Sequence, residues 1–237
     1  MKPYPIFLMD LANRHCVVVG GGHEGEGKVS GLLACDATVT VISPTLTPTL
    51  QGWAEEGRFT WLDRAYEVGD LRGAFLVIAE RADADANARI WAEAESAGAL
   101  VNVMDDVAHC NFVAGSVVRQ GPLTISISTS GAAPTLAVRL RQRFEQEFGP
   151  EYGLFLEWMQ ALRTPMAERY PKFMERRARW YDIVDSDVLT LLRAGEQEAA
   201  AARIQEITGI PVPFDDVPVN DPPVDAATRD ELVAAFV

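Results

Sequence analysis

Gly20, Gly21, Gly22 and Gly25 follow directly on the apolar run Cys16–Val19 and precede the apolar stretch Gly31–Cys35. Read from Gly20, the spacing satisfies G-x-G-x-x-G between a strand and a helix. Glycines there allow a tight turn, and the free N–H groups at the helix start can donate to a pyrophosphate. The candidate cofactor contacts in the turn are Gly20, Gly22, His23, Glu24 and Gly25. Glu24 and Glu26 bring negative charge to the same turn, which suits a phosphate only if they point away. An acid that would hold ribose hydroxyls is missing from the end of the next strand, where Ser43, Pro44 and Thr45 stand. No Lys or Arg lies between Lys28 and Arg58 to meet a 2′-phosphate. The turn is therefore read as an NAD site, with backbone and hydroxyl contacts to the adenosine.

Other groups could carry acid–base or binding chemistry. Asp105 and Asp106 end the strand LVNVM, behind Asn102. A carboxylate at that edge can act as a proton acceptor or simply cap a loop. Ser128–Gly131 can bind an anion or cap the helix that Pro134 opens. Arg139, Arg141 and Arg143 share one helix, and Lys172, Arg176, Arg177 and Arg179 another. Arginine suits carboxylate recognition, but the same residues can equally form a solvated face paired with Glu145, Glu147, Glu168 and Glu175. His15, His23 and His109 are isolated, and no metal-ligand spacing is present.

The elements that must position these groups alternate. Strands are expected at Cys16–Val19, Thr38–Ile42, Phe59–Leu62, Ala74–Ala79 and Leu100–Met104, with Ile6–Met9 as an edge strand. Helices fall at about Gly25–Cys35, from Thr47-Pro48 to Glu55, and at Ala82–Ala97. This is the signature of a doubly wound parallel sheet. Val113–Val118 and Leu123–Ser128 then read as a hairpin. The rest is helical: Pro134–Phe148, Gly153–Glu168, Tyr170–Val184, Asp187–Ala194 and Gln197–Thr208. A Pro/Asp-rich tail follows from Ile210, with a short helix at Ala226–Phe236.

The chain has 237 residues and a formal net charge of −13. That charge argues against nucleic acid or an anionic membrane as a partner. No apolar run approaches the roughly 20 residues of a membrane span. Three dispersed cysteines and no leader-like segment lead to the expectation of a cytoplasmic protein.

PIFLMDL, VVVGGG with its following Lys, VISP, LVIA, VNVMDD, NF and GPLTISISTSGAAPTLAVRLRQRFE occur in one order at one spacing. In these the chain resembles the precorrin-2 dehydrogenase/sirohydrochlorin ferrochelatase module of siroheme synthase, specifically over residues 4–150. The resemblance implies an α/β protein with three parts: an NAD-binding Rossmann domain (1–113), a small central α+β dimerisation region (114–149) and a C-terminal helical domain (150–209). The Pro/Asp-rich tail (210–237) lies outside the resemblance. It implies NAD-dependent oxidation of precorrin-2 to sirohydrochlorin, in some members followed by insertion of a transient Fe²⁺ to give siroheme, in a homodimer. It places the catalytic acid on Asp105, a cofactor contact on Asn102, and contacts to the tetrapyrrole on Ser128, Thr129, Arg139 and Arg141. The alternative is a non-catalytic NAD-sensing Rossmann module, which needs neither Asp105 nor an arginine-rich helical domain. A short-chain-type dehydrogenase is excluded, because no Tyr has Lys four residues on.

Overall fold

The computed structural model describes residues 4–80 and 84–212, which divide into two compact units, 4–114 and 115–212. In the first, β1 (His15–Val19), β2 (Thr38–Ile42), β3 (Thr60–Leu62), β4 (Leu76–Ala79) and β5 (Leu100–Val103) form one parallel sheet in the order β3-β2-β1-β4-β5. The central strands are continuously apolar because both faces are covered. Cys16 and Val18 of β1 point to one face, where α1 (His23–Leu33) and α2 (Pro48–Glu55) contribute Val29, Leu32 and Leu50. Val17 points to the other, against Ile90 and Ala94 of α3 (Ala84–Ala97). The expected doubly wound sheet is borne out. The order reverses at β1, so the C-terminal edge there is the switch point where ligands bind in such sheets.

The second unit opens with an antiparallel hairpin, β6 (Ser116–Gln120) and β7 (Leu123–Ile127). Helices follow: α4 (Pro134–Glu147), α5 (Pro150–Ala161), α6 (Arg163–Arg169), α7 (Phe173–Val184), α8 (Val188–Arg193) and α9 (Gln197–Thr208). α5 packs on the hairpin through glycine: a Cβ on Gly153 would lie 3.2 Å from the Gln120 carbonyl oxygen. The helices bury Phe155, Trp158, Leu162, Met166, Ile183 and Ile204 in one core.

Several expected boundaries are corrected. Ile6–Met9 forms no strand; the single bridge ahead of β1 comes later, from Ala12 to Ala37. Pro5 cannot donate to a ladder, and Asp10 and Asn13 turn left-handed with φ of 56° and 62°. The expected helix Gly153–Glu168 is two helices meeting at Leu162. Pro165 has no N–H to offer the Ala161 carbonyl, so α5 stops there and the chain restarts. The helix expected from Tyr170 begins at Phe173, because Pro171 disfavours helical backbone in the residue before it. The hairpin's first strand starts at Ser116, not Val113. The proposed start at Ala82 and the tail helix Ala226–Phe236 lie outside the described residues.

Candidate functional site

The glycine turn joins β1 to α1 at the switch point. Gly20 has φ of 118° and donates its N–H to the Ile42 carbonyl, 2.9 Å away. Gly21 has no room for a side chain: a Cβ there would stand 2.2 Å from the Thr45 carbonyl oxygen. The segment after β2 therefore presses against the turn, and Thr47 N–H bonds the Gly21 carbonyl at 3.0 Å. Ser43 is buried, and its hydroxyl donates to the Thr45 carbonyl at 2.6 Å, while Trp61 Nε1 donates to the Ser43 carbonyl at 2.9 Å. These bonds set the shape of Ser43–Thr45 and leave Pro44 exposed.

The two acids of the turn behave differently. Glu26 is buried and aims at the N-cap of α2, accepting from Thr47 Oγ1. It points away from the turn, as an anion site requires. Glu24 stays half-buried. Burial, then Asp105 and Glu80, push its carboxyl above the usual range, against the opposing pull of Lys28. Burial in turn lowers the Lys28 ammonium. His23 is exposed at the start of α1.

Sequence reasoning missed Glu80, which directly follows β4. Its Oε1 accepts the Gly25 N–H at 2.7 Å, so a carboxylate lies in the turn where a phosphate oxygen belongs. The signal was available in principle: an acid just beyond a continuously apolar parallel strand lies on the edge where ligands bind. Glu80 also borders a cavity of about 320 Å³, with Gly20, Ser43, Pro44, Tyr66 and Arg89 on its wall. Burial, with the Glu93 carboxylate to which it donates, pushes the Tyr66 hydroxyl well above the usual phenol range. Glu93 also accepts the N–H groups of Gly69 and Leu71, so it braces the loop beneath the cavity. Arg89 comes from α3. The lack of a base near Ser43 in sequence thus does not hold in space.

Asp105 ends the strand edge exposed, with φ of 60°, a conformation Asp tolerates. Asp106 turns back. Its Oδ2 meets His109 Nδ1 at 2.7 Å and accepts from Asn87 Nδ2 at 3.0 Å. Asn102 is buried, and its amide nitrogen is committed to the Phe112 carbonyl at 3.1 Å and to Cys110 Sγ at 3.4 Å. It holds the segment after Asp105 against β5.

In the second unit, Ser128 Oγ accepts the Ser130 N–H at 3.2 Å and Thr129 Oγ1 accepts the Ala133 N–H at 3.3 Å, just ahead of α4. Both bonds stay within the loop: α4 starts from Ala133 with no side-chain cap, so the capping role expected of this loop is not found. Arg139 is exposed and donates to Gln142; Arg141 is tied to Glu145 at 2.6 Å. On α7, Lys172 pairs with Glu175 and Arg179 with Asp182, and Arg176 donates to the Tyr170 carbonyl. Arg141, Lys172 and Arg179, three of the seven cations, thus pair with a carboxylate three or four residues on.

Residues 7–116 match a family model described as putative NAD(P)-binding, 120–147 one for the sirohaem biosynthesis protein central region, and 151–207 one for the sirohaem synthase dimerisation region. A siroheme synthase from Methylobacillus flagellatus is 37% identical over 87% of this chain and 44% of its own length. One from Pseudoalteromonas atlantica is 34% identical with the same coverage. The solved structure of SirC, precorrin-2 dehydrogenase, superposes with a TM-score of 0.70 at 22% identity, over 86% of this chain and all of the other, and shows the same fold. The chain spans less than half the length of the curated relatives it matches. With its three models matched in series along the sheet, hairpin and helices, the chain belongs to the siroheme synthase family.

Proposed function

We propose that this chain catalyses the NAD-dependent oxidation of precorrin-2 to sirohydrochlorin. The observation that carries the reading is the pairing of a glycine turn lacking room for side chains with an exposed Asp105 on the same sheet edge. The siroheme synthase relatives and the precorrin-2 dehydrogenase that shares the fold support the substrate class. The turn fits a dinucleotide: Gly21 and Gly25 exclude a Cβ, and the Gly25 N–H already holds an anionic oxygen. Bound there, NAD supplies the hydride acceptor.

Asp105 takes the proton that the macrocycle loses when its ring carbon gives up hydride. A carboxylate suits this role because it accepts a proton and, exposed here, reaches solvent to pass the proton on. Asp106, held by Asn87 and His109, fixes the loop that presents it. Gly20, Gly22, Gly25 and His23 contact the pyrophosphate side. Ser43, Pro44 and Thr45 contact the adenosine, and Asn102 acts by holding the strand end. For the substrate carboxylates we assign Ser128, Thr129 and Arg139; Arg141 is occupied by Glu145. The same Asp105 can take pyrrole N–H protons during iron insertion.

A homodimer is part of the proposal. α7 presents Met174, Tyr181 and Val184 exposed at helical spacing, with Arg177 lying 5.5 Å over the Tyr181 ring. The stripe lies within the residues matched as a dimerisation region.

The test is an anaerobic absorbance assay with precorrin-2 and NAD⁺, using NADP⁺ as a comparison arm because of Arg89, and then adding Fe²⁺. NADH formation by the wild type and not by Asp105→Asn supports the reading. No NADH from a folded wild type that binds NAD overturns it in favour of a sensor.

A further inference from the structure

Glu80 sits where the proposed cofactor's phosphates must go. Its Oε1 accepts the Gly25 N–H at 2.7 Å. Cβ atoms built on Gly20, Gly22 and Gly25 would lie 2.5, 2.9 and 2.9 Å from its carboxylate oxygens. The carboxylate therefore fills the concave face that the glycines leave open, against the N-terminus of α1. The reason is electrostatic: free N–H groups and the helix dipole favour any anion there. The Glu80 backbone is anchored too, its N–H bonded to the Val19 carbonyl at 2.8 Å.

Two anions cannot share this position. A phosphate entering the turn would meet Glu80 directly, with Glu24 and Asp105 close enough to raise each other's electrostatic cost. The side chain has somewhere to go, because Glu80 also borders the cavity beside Ser43. We propose that Glu80 is a built-in competitor for the phosphate turn, an intramolecular carboxylate that a dinucleotide must displace in order to bind. The proposal rests on the reading of this turn as a dinucleotide site. It makes Glu80 an affinity-determining residue: apparent affinity falls by the fraction of time the turn is open.

The experiment is calorimetric titration of the full chain at low salt, wild type against Glu80→Ala and Glu80→Gln, with inorganic pyrophosphate and with NAD⁺. Circular dichroism checks folding, and the isosteric Gln variant stands in if Ala perturbs the turn. Losing a charged hydrogen bond of this kind corresponds to about a tenfold to hundredfold change. Glu80→Ala is expected to bind both ligands at least about tenfold more tightly than wild type, and Glu80→Gln to fall between. The proposal is overturned if the variants bind neither ligand more tightly than wild type. If pyrophosphate affinity rises while no protein binds NAD⁺, Glu80 is a competitor for anions and the dehydrogenase reading fails instead.

Discussion

Thr47 Oγ1 donates to Glu26 Oε2 across 2.5 Å, and both side chains are buried. The bond joins α1, which carries the glycine turn, to the N-cap of α2, where Thr47 Oγ1 also accepts the Leu50 N–H at 3.2 Å. It accounts for an acid in the first turn of α1 that would otherwise face the phosphate position. Thr47→Val removes the cap and strands a buried carboxylate. The expected loss of stability is about 2–4 kcal/mol, the sum of a cap and a charge-assisted hydrogen bond. Urea unfolding measures it. A double-mutant cycle with Glu26→Gln should show coupling; purely additive losses would mean the two side chains act independently.

Asp105→Asn is expected to lower the rate of NADH formation by about 10²- to 10⁴-fold, the range for loss of a general base. Asn tolerates the left-handed backbone that Asp105 adopts, so stability should stay near wild type. Asp105→Ala should be less stable than Asp105→Asn by about 1 kcal/mol, since Ala pays the steric cost of that conformation. Parallel activity and melting measurements separate the two effects. An unchanged rate in the Asn variant would remove Asp105 from the chemistry.

Glu24 gives a pH dependence of defined sign. Burial, then Asp105 and Glu80, raise its carboxyl in the folded state. Below the unfolded value of about 4.3 both states are protonated and the group is neutral to stability; above the folded value it opposes folding. Glu24→Gln should therefore raise Tm at neutral pH, with the gain fading as pH falls through the folded value towards about 4.3. Asp105→Asn relieves one of the repulsions on Glu24, so in that background the gain should shrink. A gain that persists undiminished at acid pH would point to packing rather than charge.

The exposed stripe on α7 predicts its own assay. Met174→Glu with Val184→Glu puts carboxylates on a face whose side chains are 67% and 52% exposed in the single chain. Both positions lie outside the helical core, so the fold should survive. Light scattering should move from dimer to monomer at micromolar concentration. A dimer of unchanged strength would place the interface elsewhere.

Much of this was legible in the sequence. β1 reads as a strand because a short β-branched apolar run has few other uses, and the turn because glycine spacing and a following apolar helix face are local signals. Thr47-Pro48 announces α2 by cap chemistry alone. The parallel sheet follows from alternation of such segments. The misplaced boundaries lie where a single residue acts on a neighbour's backbone, as Pro165 does on Ala161 and Pro171 on Tyr170.

Tertiary structure alone decided which side chains share the site. Glu80 reaches Gly25 across 55 positions, Glu26 finds Thr47 across 21, and Asn87 meets Asp106 across 19. The sequence determined the strands, the helices and a turn suited to an anion, because those depend on backbone preference and on the period of apolar residues within a few positions. It could not say that the anion in the turn is the chain's own carboxylate, or that Asp106 turns inward while Asp105 stays exposed. Those choices depend on which segments the sheet order brings together, and periodicity carries no record of a side chain's distant partner.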